Sequence, residues 1–189
     1  LIISVVSVCL ALTSGYLGIQ GHVYDEVECP TSLTYGEEFV YEAGAVFEGV
    51  AYQFSQDADF ASFSTSAPIY PGTYYVRAVS ESSFGNPRYG DVHSFTVLPR
   101  VLDVRVEQQT VMYGELPSVS ADLLNGDKIS CSQFAYDDIS LEKTNIAAVA
   151  SSVVITNSAG EDITYAYTIN PVKSEITFNK RSITITSTA

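Results

Sequence analysis

Apolar and polar positions alternate most cleanly over residues 73–79. Tyr74, Val76 and Ala78 fall on one face and Tyr75, Arg77 and Val79 on the other, the period of a strand with one buried face. Residues 50–55 repeat the pattern, with Val50, Tyr52 and Phe54 on one side. Residues 38–45 do so weakly through Phe39, Tyr41 and Ala43. A short strand running into a turn is predicted over 32–36, and a strand anchored by Phe63 over 61–67. Pro68 and Pro71-Gly72 mark a corner, and 82–90, with Gly85, Asn86, Pro87 and Gly90, reads as a loop. A strand over 92–97 closes this half of the chain.

The second half opens with Leu102, Val104 and Val106 alternating against Val101, Asp103 and Arg105. Strands are predicted over 119–124, 128–136, 153–155, 165–169 and 175–178. Asn125-Gly126-Asp127 reads as a hairpin turn. Residues 137–150 fit either a helix or an irregular or strand connection, and the second is preferred. Many short strands with regular turn signals predict β-sandwiches.

Two internal echoes divide the pattern. Residues 95–104 and 176–185 both read as a strand end, a joint and a new strand, and Arg100 aligns with Arg181 at an offset of 81 residues (181 − 100). Tyr35-Gly36 is echoed by Tyr113-Gly114 at an offset of 78 residues (113 − 35). Such a period suits whole small β-domains better than a solenoid. Glycine at this place would allow a positive φ, and the tyrosine would cap the core edge. The expected fold is all-β: two tandem immunoglobulin-like β-sandwich modules at 26–99 and 100–181, with the truncated first strand of a third at 182–189.

Residues 1–21 carry no charge, and small residues follow the apolar run at Thr13, Ser14 and Gly15. Three readings of 1–25 fit: a secretory signal segment truncated at its front, a membrane anchor, or a buried strand of a preceding module.

Composition narrows the function classes. Lys+Arg number 9 against 22 Asp+Glu, for a formal charge of −13. No basic cluster exists to meet phosphates, so nucleic acid is excluded as a partner. Cys9, Cys29 and Cys131 have no metal-ligand spacing, and Cys29 and Cys131 fall in different predicted modules, so free thiols are expected. Each module must then be held by its apolar core.

These residues resemble bacterial extracellular repeat domains. The second module is similar to an MBG-type domain of the Tyr-Gly form. That likeness rests on the joint at 100–104, Tyr113-Gly114 with Pro117, Asn125-Gly126-Asp127, Tyr167-Thr168-Ile169 and the exit at 176–181. The first is similar to bacterial immunoglobulin-like or fibronectin type III-like repeats through Tyr52-Gln53-Phe54-Ser55, Phe63-Ser64, Ala67-Pro68 and the stretch 72–78. It departs from antibody-type domains in lacking Trp and the inter-sheet cysteine pair. The resemblance implies secreted or wall-attached bacterial proteins in which such modules serve as stalks and adhesive repeats.

Catalytic chemistry finds no motif. His22 and His93 are the only histidines, and neither lies in a nucleophile motif. No phosphate loop, HExxH or CxxC occurs. Asp57 and Asp59 flank Ala58 on a turn and, with the module junctions, are the first candidates for calcium, which needs six to eight oxygens in one place. The plainer reading of this pair, and of Asp137-Asp138 and Glu161-Asp162, is a solvated turn, and no cofactor is implied. An internal isopeptide bond would need a buried lysine, and Lys128, Lys143, Lys173 and Lys180 occupy no clear core face.

Loop aromatics supply the candidate binding residues: Tyr70, Phe84 and Tyr89, as a platform for sugars. The plainer account is that a Trp-free sandwich fills its interior with Tyr and Phe. The expected function is a non-enzymatic extracellular module pair, a spacer and adhesive segment of a larger bacterial surface or secreted protein. Its partners would be neighbouring repeats. The alternatives are a module that binds glycan or a host protein, and accessory domains of a secreted glycan-degrading enzyme.

Overall fold

The computed structural model describes residues 29–40, 50–81, 86–107, 110–138, 143–182 and 184. The expectations for 1–25, for Tyr41 and Ala43, and for most of 182–189 lie outside the described residues. The chain divides into two compact units between Leu98 and Pro99. Among the described residues no helix is long and apolar enough to cross a membrane. The architecture is all-β, with several sheets consistent with tandem β-sandwich modules.

In the first unit, β1 (Ser32–Thr34), β2 (Val50–Ser55), β3 (Gly72–Glu81), β4 (Pro87–Tyr89) and β5 (His93–Leu98) form one sheet. Its order is β1-β5-β3-β2, with β4 on the far end of β3. The alternation read in the sequence sets the register: Tyr52 faces Ala78 and Phe54 faces Val76 across the β2–β3 ladder. Those side chains, with Tyr74, Phe95, Val97 and Phe39, make the buried core. Phe39 meets Phe54 edge-on at 5.2 Å and Phe95 at 4.7 Å.

Two expectations fail in this unit. The strand over 61–67 does not form. The chain makes a single bridge, Phe54 to Ser64, and then turns away. Ser64 Oγ accepts a bond from the Ser66 amide and donates to the Ser66 carbonyl, each at 3.0 Å. A serine hydroxyl that satisfies nearby backbone in this way competes with a ladder. Phe63, the expected anchor, is 54% exposed, and Phe60 is buried in its place. The loop expected over 82–90 contains the short strand β4.

The second unit comprises β6 (Arg100–Val106), β7 (Thr110–Met112), β8 (Val119–Ser120), β9 (Lys128–Cys131), β10 (Phe134–Tyr136), β11 (Lys143–Ala148), β12 (Val153–Thr156), β13 (Tyr167–Pro171) and β14 (Ser174–Asn179). Single 3-10 turns precede β12 and β13. The sheets run β10-β11-β14-β7, β13-β6-β8 and β12-β9. The first two share a core through Val106, Val111, Ile146 and Ile176. Thus 143–148 is a strand, as preferred over a helix.

Asn125-Gly126 makes the expected turn but not a hairpin. Both residues have positive φ, and the Asp127 amide donates to the Leu124 carbonyl at 2.9 Å. Yet β8 pairs with β6 and β9 with β12, so the turn carries the chain from one sheet to another. Asp127 is buried there, and the Tyr167 hydroxyl donates to its carboxylate at 2.8 Å. The same hydroxyl lies 3.3 Å from the Leu124 amide, which donates to it.

The two Tyr-Gly turns do the same work in each unit. β1 pairs with β5 and β7 with β14, both in parallel. Tyr35 N–H donates to Leu98 O at 2.8 Å, and Tyr113 N–H to Asn179 O at 3.0 Å. Gly36 and Gly114 have φ of 91° and 93°. A Cβ at Gly114 would meet nothing within 4 Å, so the demand there is conformational alone. Gly114→Ala is expected to lower the stability of the second unit by about 1–2 kcal/mol, the cost of a left-handed L-residue, read in a denaturant titration. The tyrosines differ: Tyr35 is 2% exposed, as a core-edge cap should be, and Tyr113 is 61% exposed.

Candidate functional site

One concave feature of the first unit is built at the end of β2. Ser55 Oγ donates to the Ser62 carbonyl at 2.7 Å and accepts from the Asp57 amide at 2.9 Å, pinning the base of a turn. The Phe60 amide donates to Asp57 O at 3.1 Å, with Phe60 at a φ of 55°. Non-glycine residues rarely sit there. The buried ring offsets the strain, because Arg77 lies over its face, 4.1 Å from the centroid.

The chain then returns through Ser64 to Ala67-Pro68-Ile69-Tyr70. The Tyr70 ring stacks on Tyr35 at 5.8 Å with an interplanar angle of 16°, and Tyr74 Oη donates to the Tyr70 carbonyl at 3.0 Å. Between the turn and this corner lies an open groove of about 470 Å³, whose lining includes Asp57, Phe63, Ser66, Ile69 and Tyr70.

The expected site residues are dispersed. Tyr70 lines the groove. Tyr89 is on the opposite face of β3, where Arg77 lies 3.9 Å over its ring. Arg77 thus sits between Phe60 and Tyr89, and its Nε and Nη2 donate to Gln53 Oε1 at 3.0 and 2.8 Å. The cation–π contact with Arg77 gives Tyr89 a place in the fold, although half of its surface remains exposed. Phe84 lies outside the described residues. Phe63, read as a strand anchor, stands in solvent beside Tyr70, and the Ser-rich composition of 62–66 was the signal for that.

Asp57 and Asp59 are both exposed. Asp59 Oδ1 accepts from the Ala61 amide at 3.2 Å, a turn-stabilising bond. No group of three or more His, Cys, Asp or Glu side chains that could hold a metal ion occurs among the described residues.

Other chemistry-bearing groups are spread out. His93 Nε2 is buried without a hydrogen-bond partner among the described residues. Cys29 and Cys131 are free thiols, and burial pushes the Cys29 thiol up from its ordinary value. Lys173 Nζ reaches Asp137 Oδ1 at 2.7 Å, and Asn145 Nδ2 donates to Asp137 Oδ2 at 3.2 Å. Hydrogen bonds from Lys173 and then Asn145 hold the Asp137 carboxyl below the usual range. This Lys–Asp–Asn grouping is exposed at the surface, not enclosed in a core as an isopeptide bond requires.

A second, smaller cleft of about 250 Å³ lies in the other unit beside the exposed Tyr113, lined also by Leu116, Tyr136 and Phe178. Tyr136 and Phe178 meet at 5.6 Å, and burial raises the Tyr136 phenol.

No family model matches this chain, and no curated protein matches it. Among solved structures it is similar to the fibronectin(III)-like modules of Clostridium thermocellum CbhA, at 16% identity over 82% of this chain and 94% of that one, with a TM-score of 0.25.

Proposed function

We propose that the chain is a non-enzymatic pair of extracellular β-modules, a spacer and adhesive segment of a larger bacterial surface or secreted protein. The observation that carries this reading is the repeated closure: each unit pairs its Tyr-Gly strand in parallel with its last strand, around a core of its own. A chain built by repeating a self-sufficient bead extends in length without new chemistry. Within this reading the first unit, 26–99, is immunoglobulin-like or fibronectin type III-like. The second, 100–181, is MBG-type, and 182–189 opens a following repeat. Excess negative charge keeps neighbouring copies apart at low salt and is screened at physiological salt.

Two measurements test the proposal. Calorimetry of the full chain is expected to show two unfolding transitions, one for each core; a single shared transition would overturn the bead reading. Protease treatment of intact cells of the source organism is expected to release fragments of this segment. Protection until lysis would overturn the extracellular placement.

A further inference from the structure

The groove at the end of β2 presents groups that the fold leaves unused. Phe63 and Ile69 are each more than half exposed. The Ser62 and Ser66 hydroxyls, the Gln56 amide and the Asp57 carboxylate bond to no other described residue; only the backbone atoms of Ser62, Ser66 and Asp57 are engaged. All of them line the same concavity, together with Tyr70.

The chemistry of the lining excludes several ligand classes. No Lys, Arg or His lines the groove, and the chain carries a charge of −13, so anionic ligands meet repulsion and no counter-charge. A peptide adding as a strand needs free main-chain groups at a sheet edge. At Phe54 those groups are taken: its amide and carbonyl both bond to Ser64 at 2.8 Å. What remains is apolar surface from Phe63, Ile69 and Tyr70, ringed by neutral hydroxyls, one amide and one carboxylate. Its complement is a ring with an apolar C–H face and a rim of hydroxyl groups. The groove is open, with a volume of about 470 Å³, so a ring can lie along it with one face to solvent.

We infer that this groove is a binding site for a neutral carbohydrate, with a pyranose face against Phe63 and Ile69 and its hydroxyls on Ser66, Gln56 and Asp57. This deepens the adhesive role proposed above and rests on it only for the ligand's being met outside the cell. Tyr70 lines the site, and its partner aromatic is Phe63 in place of Tyr89.

The test is titration of the full chain with cellotetraose, maltotetraose and chitotetraose, followed by amide chemical shifts. At least one is expected to saturate with a dissociation constant of about 1 mM, moving Phe63, Ser64 and Ile69. Phe63→Ala removes an exposed ring and leaves the fold intact; it is expected to weaken binding about twofold to tenfold, the range for one lost ring contact. Tyr113→Ala, in the other unit, is expected to change nothing. Absence of saturation by all three sugars overturns the inference. So does unchanged affinity in a folded Phe63→Ala protein, or binding of a proline-rich peptide to these residues in place of sugar. None of these outcomes touches the bead reading, which stands or falls on the unfolding and cell-surface measurements.

Discussion

Phe95→Ala is expected to lower the stability of the first unit by about 3–5 kcal/mol, the range for removing a buried phenylalanine. Phe95 is 1% exposed. It contacts three aromatic rings: Phe39 at 4.7 Å, Tyr74 at 5.8 Å and Phe54 at 6.3 Å. Those neighbours come from the segment after β1, from β3 and from β2, so the ring joins three parts of the chain. None can move into the vacated space without losing its own packing, which places the cost toward the upper part of the range. Denaturant unfolding of the full chain, with the first unit's transition followed separately, measures the effect. A loss below about 1 kcal/mol would show that this ring is not the centre of the core.

Tyr167→Phe is expected to lower the stability of the second unit by about 2 kcal/mol. The substitution keeps the ring and deletes only the hydroxyl. That hydroxyl donates to the buried Asp127 carboxylate at 2.8 Å and accepts from the Leu124 amide. Without it, a carboxylate kept from water loses one of its donors, and a bond to a charged group is worth more than a neutral one. The Asn125-Gly126 turn, held between Leu124 and Asp127, loosens with it. The complementary change Asp127→Asn keeps an acceptor for the hydroxyl and is expected to cost less. The two substitutions, read by the same unfolding experiment, separate the charge from the bond. Equal losses in both would overturn the role assigned to the hydroxyl.

Where burial alone decided the structure, the sequence was readable. Tyr74, Val76 and Ala78 face the core, as do Leu102, Val104 and Val106, because an alternation of period two leaves a strand one way to hide its apolar side chains. The Tyr-Gly turns were readable for another reason, since the positive φ at Gly36 and Gly114 restricts the residue type. What was misread depended on polar side chains bonding locally. Phe63 looks like a strand anchor until Ser64 folds back on Ser66 and leaves the ring outside. Asn125-Gly126 has the dihedrals of a hairpin turn, but nothing local says that its flanking strands join different sheets; the Asp127–Tyr167 bond, spanning 40 residues, does. The candidate site suffered the same way. Tyr70 and Tyr89 are near in sequence, yet a strand's two faces part them, and the cationic partner of Tyr89 could not be chosen from several nearby charges.

The side-by-side parallel pairs, β1 with β5 and β7 with β14, have a consequence for load. A pull that enters at the N-terminal end of one strand and leaves at the C-terminal end of its parallel neighbour slides the two strands past each other. The ladder bonds between them then lie across the direction of sliding and must yield together. Strands peeled apart from one end would yield one bond at a time. Each bond contributes only about 1 kcal/mol to net stability, but a set loaded in shear resists as a unit. In the first unit, where β1 is the first described strand and β5 the last, the few residues that close the bead are therefore also its latch under tension; in the second, β6 comes before β7, and its parallel ladder with β13 meets the pull first.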